Sequence, residues 1–354
     1  MDRVARTSGA IRTAKSRRPG PRPFTYAALD LGTNNCRLLI ARAEPDGRDF
    51  RVIDGFSRIV RLGEGIGARP AQPILGEAAI RRAIRALHVC ANKMRRRGVD
   101  RARCVATEAC RRATNAAQFL GRVRAETGMH IETISCMEEA TLAMSGCAPL
   151  LDGAFRRALI FDIGGGSTEL TWVALARDGD HRVLGCDSIP CGVVTLSEQF
   201  GGDCYDRATY QAMIDRVFGL LRPFEAAHGI GAEIAAGGVQ MLGTSGTVTT
   251  LAGVHMALDR YDRTKVDGTE LDFETVARVS ARLRGLDYQG RAADPCVGRD
   301  RADLVVGGCA VLEAICLLWP VGRLRVADRG VREGILYALM GAAPAMPSTG
   351  QPGF

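Results

Sequence analysis

Three short turns rich in glycine, serine, threonine and asparagine are the parts of this 354-residue sequence best suited to binding an anion. They are DLGTNN (30–35), DIGGGST (162–168) and GTSGT (243–247), and each follows an apolar stretch. Glycine adopts positive φ at little cost, so consecutive backbone N–H groups can point at one ligand and form an anion-binding nest. A helix that starts after such a turn adds free N–H groups and a favourable dipole. The candidate phosphate-binding residues are Thr33, Asn34, Asn35, Gly164, Gly165, Gly166, Ser167, Thr168, Ser245, Gly246 and Thr247.

Acidic residues flank these turns and predict a metal ion. Asp162 precedes the three glycines, Glu169 follows them, and Asp30 has the equivalent position in the first turn. Carboxylates beside bound phosphate repel it unless a cation intervenes, and Mg²⁺ binds one or two carboxylates together with phosphate oxygens and water. We therefore expect Mg²⁺ as cofactor, with Asp162, Glu169 and Asp30 as its candidate ligands. The alternative is that Asp162 only caps its own turn.

An internal repeat predicts the fold that holds these turns. RALIFDIGGGSTELTWVAL (157–175) repeats the plan of FTYAALDLGTNNCRLLIAR (24–42), and each copy opens a β-meander that is followed by helices and strands. This pattern is typical of a duplicated α/β architecture. We expect one domain over 24–150 and a second over 151–340, whose last helix can pack back on the first. A disordered basic tail is expected at 1–23 and a loose tail at 341–354.

Apolar periodicity and turn residues place the individual elements. The first meander has three strands, with turns at 33–35 and 44–47, and RCVATEAC and HIETISC are predicted strands. EIAAGGVQMLGTSGTVTTLAGV predicts a strand, a turn and a helix start, and LRVADRGVREGILYALM a strand, a turn and a final helix. The other predicted helices lie at about 76–97, 115–127, 206–229 and 273–285, in DLVVGGCAVLEAICLLW, and from the start of EEATLAMSGCAPL.

Charge and cysteine usage exclude several classes of protein. Of the net charge of +8, residues 1–23 carry +6, so the nearly neutral remainder does not suit a groove for specific nucleic-acid binding. The 12 cysteines include no CxxC pair and lie mostly among apolar residues, which predicts reduced, buried thiols. Because no apolar run is long enough to span a membrane and the N-terminus lacks an apolar signal region, we expect a cytoplasmic protein without a membrane partner.

The motifs together resemble a known family. DLGTNN, VATEACRRATN, ISCMEEA, FDIGGGSTEL, GTSGTVTT and ADRGVREGILY are similar, in this order, to signature stretches of the exopolyphosphatase and guanosine pentaphosphate phosphatase family, in its short two-domain form. The resemblance covers about residues 24–340. It implies the duplicated actin-like, ribonuclease-H-like fold with an interdomain cleft. Longer members carry an additional helical region that this sequence lacks, so we do not expect processive binding of long polyphosphate.

The same resemblance implies the activity. It implies hydrolysis of the terminal phosphoanhydride bond of polyphosphate, with a glutamate of the EEA segment as general base. Glu139 matches this position best, and its neighbour Glu138 is the alternative. Arg111 matches an arginine that contacts phosphate.

Other functions stay open at this point. Guanosine pentaphosphate as substrate involves the same chemistry, and the sequence does not separate the two substrates. A non-hydrolytic actin-like protein that binds ATP and a silent polyanion sensor are rival functions. The oligomeric state is also open, and a homodimer is one candidate.

Overall fold

The two repeated segments form equivalent β-hairpins. In the first, β1 (Thr25–Leu31) pairs antiparallel with β2 (Asn35–Ala43), and in the second, β6 (Arg157–Ile163) pairs antiparallel with β7 (Thr168–Ala174). Each hairpin supplies the first two strands, in chain order, of one mixed sheet. The protein is described by a computed structural model over residues 24–44, 49–66, 73–176, 181–201 and 206–341. Apart from residues 44 and 341, the predicted turn at 44–47 and both predicted tails lie outside these residues.

The first sheet has five strands in the order β3-β2-β1-β4-β5, and β4 runs parallel to β1. Its further elements are β3 (Phe50–Ile59), α1 (Glu77–Arg97), β4 (Arg101–Ala106), α2 (Glu108–Arg112), α3 (Ala116–Thr127) and β5 (Glu132–Thr133). One face of the sheet packs against the apolar sides of α1 and α3, where Leu38, Leu87 and Phe119 are fully buried. The turn between β1 and β2 lies beyond this core, at one end of the strands.

The second sheet has six strands in the order β10-β11-β9-β6-β7-β8. Its further strands are β8 (Arg182–Ile189), β9 (Val239–Thr244), β10 (Glu270–Asp272) and β11 (Arg323–Ala327). Its helices are α5 (Val193–Phe200), α6 (Arg207–His228), α7 (Ile230–Ala235), α8 (Gly246–His255), α9 (Arg263–Val266), α10 (Phe273–Gly285), α11 (Tyr288–Ala293) and α12 (Val305–Leu318). The apolar helix α12 is buried against α6 and α10. Within the described ranges, no helix has both the length and the apolarity that a membrane crossing requires.

Two helices form the layers between the sheets. The helix α13 (Val331–Gly341) buries Ile335 and Leu336 against the first sheet, although it is the last element of the described chain. The helix α4 (Cys136–Cys147) buries Met144 and Cys147 against the second sheet, and it also packs on α13. The two sheets are therefore joined through the contact between α13 and α4.

The structure confirms most predicted elements and corrects two. The helices at 206–229 and 273–285 are present as α6 and α10. The segment RCVATEAC is not one strand, because pairing with β1 ends at Ala106 and the chain then turns into α2. The strand predicted from Glu233 begins only at Val239, since the preceding residues finish α7 and Gly237 turns the chain at φ +75°. The short helices α5, α9 and α11 were not predicted.

We expect Gly334→Ala to destabilise the protein, because an added Cβ would overlap the carbonyl oxygen of Leu142 where α13 meets α4. Overpacking of this kind costs about 1–3 kcal/mol. The matched control is Gly121→Ala on α3, where a Cβ meets no atom within 4 Å and the higher helix propensity of alanine is worth up to about 1 kcal/mol. Denaturant unfolding of both variants measures the difference, and equal midpoints would contradict the close packing of α4 on α13.

Candidate active site

The turns of the two hairpins are in direct contact. A Cβ added to Gly165 would overlap Cβ of Asn34, and one added to Gly166 would lie 2.6 Å from Cγ2 of Thr33. The expectation that these glycines supply positive φ is wrong, because neither of them has it. Glycine is needed here so that two backbones can approach each other. The site therefore lies where the halves meet.

A cleft opens beside this contact and gathers most of the predicted site residues. Those that line it are Asp30, Thr33, Asn34, Asn35, Glu139, Asp162, Gly164, Gly165, Ser167, Glu169, Gly246 and Thr247. Within the described part of the chain, the backbone N–H groups of Gly165 and Gly166 have no hydrogen-bond partner. Gly165 lines the cleft, so its amide is available to an incoming anion.

Three predicted phosphate-binding residues make contacts within the protein. Gly166 packs on Thr33, and Thr168 donates its hydroxyl to the carbonyl oxygen of Cys191 at 2.7 Å. Ser245 caps α8, because its Oγ accepts the N–H groups of Thr247 (3.2 Å) and Val248 (3.5 Å). The expectation of several free N–H groups at this helix start is therefore wrong.

The structure separates the two neighbouring glutamates. Glu139 is 9% exposed and accepts a hydrogen bond from Nη1 of Arg111 at 2.5 Å, at the floor of the cleft. Glu138 faces away, pairs with Arg103 and keeps 42% of its side chain exposed. The N-cap Ser135, which accepts the N–H of Glu138 at 3.1 Å, fixes the start of α4 and so the direction of both side chains.

Burial raises the pKa of the carboxyl groups in the cleft. Burial is the largest cause for Glu139, whose pKa lies well above its ordinary value, and the negative charge of Glu169 adds to it while Arg111 opposes it. Burial and then Asp162 raise the pKa of Glu169 to about 7, although its Oε1 accepts the hydroxyls of Ser167 (2.5 Å) and Ser188 (3.0 Å). The cleft thus concentrates carboxyl groups in a poorly solvated space.

Both aspartates of the repeated hairpins have the same character. Burial raises the pKa of Asp30 and of Asp162, and the guanidinium groups of Arg37 and Arg332 oppose this rise in both cases. Two arginines thus partly balance the two carboxyl groups.

Two arginines that line the cleft were not predicted from the sequence. Arg37 lies opposite Asp30 in the first hairpin, as Glu169 lies opposite Asp162 in the second, so the repeat itself carried this signal. Arg301 donates from Nη1 to Oγ1 of Thr250 at 2.9 Å, and burial lowers its pKa. No motif marks Arg301 among the many arginines of the sequence.

The predicted metal ligands do not form a preassembled cluster. The described residues contain no group of three or more His, Cys, Asp or Glu side chains that could hold a metal ion, and Asp162, Glu169 and Asp30 stay predicted ligands. Hard oxygen donors are nevertheless present, since Asp30 and Asp162 line one cleft. Oδ1 of Asn34 is buried there without a hydrogen-bond partner. This donor set fits Mg²⁺ whose coordination is completed by phosphate oxygens and water.

The fold and the cleft define an enzyme class. Two mixed sheets, each opened by a hairpin whose turn faces the other, form the actin-like two-domain fold, as the sequence predicted. The sequence profile of the Ppx/GppA phosphatase family matches residues 39–343, and the chain belongs to this family. It is therefore a phosphatase, and its class of reaction is the hydrolysis of phosphoanhydrides.

Known relatives agree with this assignment. The chain is 30% identical to exopolyphosphatase 2 of Mycobacterium tuberculosis over 331 residues. The alignment spans 89% of this chain and 98% of the relative. The crystal structure of the Aquifex aeolicus Ppx/GppA family member covers 92% of this chain and 100% of that one, with a TM-score of 0.70 and 26% identity. The fold is also similar to that of an exopolyphosphatase from Cytophaga hutchinsonii, with a TM-score of 0.78 and 23% identity over 90% of this chain and 98% of that one.

We expect Gly165→Val to abolish nearly all phosphatase activity. The new side chain would overlap Asn34 and push apart the two turns that form the wall of the cleft. Activity and the melting temperature should be measured together. Gly153→Val is the control, since a Cβ at Gly153 meets no atom within 4 Å. A folded Gly165→Val protein with a wild-type rate would show that the turn contact is dispensable.

Proposed function

We propose that this phosphatase hydrolyses the terminal phosphoanhydride bond of inorganic polyphosphate and releases orthophosphate. The observation that carries the proposal is the position of Glu139, which lines the same cleft as Gly165 with its free N–H group. The exopolyphosphatase name of the Mycobacterium tuberculosis relative supports the choice of substrate.

Binding of the terminal phosphate uses charges and dipoles from both halves. The amide of Gly165 donates to its oxygens, and the guanidinium groups of Arg37 and Arg301 supply positive charge at the cleft wall. Such preorganised donors stabilise the charge of the transition state, which is most of what phosphoryl transfer requires of a protein. No nucleophilic side chain is needed.

Glu139 acts as the general base. It takes a proton from a water molecule as the water oxygen bonds to the terminal phosphorus, and the bond from phosphorus to the bridging oxygen breaks. The shortened chain leaves as the anion. Burial raises the pKa of Glu139, and a raised pKa makes a carboxylate a stronger general base. The hydrogen bond from Arg111 orients the carboxylate and opposes the rise of its pKa.

Mg²⁺ is the proposed cofactor, with Asp162, Glu169 and Asp30 as the residues on the protein side. One or two of these carboxylates suffice when phosphate oxygens and waters complete the shell. When bound, the ion neutralises charge on the phosphates and on the carboxylates, which otherwise repel the substrate.

The rest of the substrate has a groove that continues from the cleft. This groove shares Asn35, Ile59 and Arg301 with the cleft. Three further arginines, Arg58, Arg61 and Arg299, line it. A row of arginines matches the repeating charge of polyphosphate.

Guanosine pentaphosphate is the second candidate substrate. The observation that favours it is Tyr288, an aromatic side chain in the same groove on which a base could stack.

The cytoplasm is the proposed location, and the eleven cysteines of the described residues, all free, agree with a reducing compartment.

The direct test is phosphate release from polyphosphates of defined length, guanosine pentaphosphate and ATP, each with and without Mg²⁺. We expect the highest kcat/KM for polyphosphate, loss of activity with a chelator and recovery when Mg²⁺ is returned. A preference for guanosine pentaphosphate would replace the proposed substrate, and full activity in the chelator would refute the cofactor.

We expect Glu139→Gln to bind substrate and to lose turnover by roughly 10²–10⁴-fold, the usual contribution of a general base. Glu138→Gln is the matched control, because Glu138 pairs with Arg103 outside the cleft. Single-turnover phosphate release and the substrate Kd should be measured for both variants. If both lose turnover equally, or neither does, Glu139 is not the base.

A further inference from the structure

Two cysteines face each other where α4 meets the second sheet. Cys136 is the first residue of α4 and Cys186 lies on β8, and their Sγ atoms are 3.8 Å apart. We propose that Cys136 and Cys186 are an oxidisable thiol pair, whose disulfide fastens α4 to β8 and reversibly reduces turnover.

Exposure distinguishes this pair from the other close pair of thiols in the described residues. Cys36 and Cys90 are 4.0 Å apart but fully buried in the core of the first sheet, where an oxidant has no access. Cys136 and Cys186 are both partly exposed. The side chain of Met137, 49% exposed, lies beside them with its Sδ 3.9 Å from Cys186 Sγ.

The oxidant is a peroxide, and formation of the disulfide requires no other co-reactant. One thiolate attacks the peroxide and becomes a sulfenic acid, and the second thiol displaces water to form the S–S bond. Two thiols lose two electrons and two hydrogens, and hydrogen peroxide becomes two waters. Burial raises the pKa of Cys136 to about 12, so cross-linking should become faster as the pH rises.

The disulfide would act on the residue that we propose as the base. An S–S bond is about 2.05 Å long, so closing the 3.8 Å thiol separation rotates both side chains and draws the start of α4 toward β8. Glu139 lies one helical turn after Cys136, and displacements of about 1 Å at a reacting group can cost 10²-fold in rate. The effect on turnover rests on the proposed function, whereas the formation of the bond does not.

The test treats the purified full-length protein with hydrogen peroxide and maps its peptides without reduction. We expect a peptide that links Cys136 to Cys186 with a loss of two hydrogens, a tenfold or greater loss of phosphate release, and recovery of both with dithiothreitol. Oxidation of Met137 adds an oxygen instead and does not reverse with this thiol, so mass separates the two reactions.

Cys186→Ser and Cys136→Ser are the informative variants, and Cys90→Ala is the control for general thiol loss. Both serine variants should keep their activity in peroxide under conditions that inactivate the wild type, while the control should be inactivated like the wild type. Absence of the linked peptide would overturn the proposal, whatever the substrate. A linked peptide with unchanged activity in an active enzyme would overturn the effect on turnover.

Discussion

The contact between two hairpin turns is the constraint on which the rest of the site depends. Asn34 and Gly165 approach so closely that no side chain fits between them. The turn around Asn34 is itself held from behind, because its carbonyl oxygen accepts the N–H groups of Val60 (2.7 Å) and Arg61 (3.0 Å). Arg61 in turn reaches across to Asp303 of the second half, with 2.9 Å between Nη2 and Oδ2. One backbone contact therefore fixes the distance between the walls of the cleft.

The duplicated hairpins have diverged in charge at one equivalent position. Both hairpins share the order of strand, aspartate and turn, but opposite the aspartate the first hairpin carries Arg37 and the second carries Glu169. A symmetric pair of glutamates would add more repulsion to a cleft where burial already raises the pKa of Asp30 and Asp162. On the proposed function, one hairpin attracts phosphate and the other attracts the cation. Duplication supplied the geometry, and divergence at this position supplied the complementarity.

Short sequence patterns predicted the hairpins and the amphipathic helices. The repeated strand and turn segments identified both hairpins, and apolar periodicity located α6 and α10, because burial of one helix face leaves a clear mark in the sequence. The choice between Glu138 and Glu139 was beyond such patterns, since it depends on how the cap at Ser135 orients the first turn of α4.

Other features arise only from packing between distant segments. Arg301 enters the cleft from the far end of the second half, and the thiols of Cys136 and Cys186 come together from two halves of the chain. The prediction of positive φ at Gly165 and Gly166 was wrong for the same reason, because their role depends on contacts with the other turn. The sequence shows that a residue without a side chain is required, but it does not show that the turn of the other hairpin fills the space.

The position of α13 has a consequence for biosynthesis. This helix covers a face of the first sheet formed by Tyr26, Leu39 and Val105, yet it leaves the ribosome only after the second half has been made. At about 5–20 residues per second, the nearly two hundred residues between Ile134 and Val331 keep that apolar face uncovered for roughly 10–40 s. The first half must therefore wait, partly folded, for the last helix. A nascent chain in this state presents a surface that chaperones bind and that other nascent chains can join.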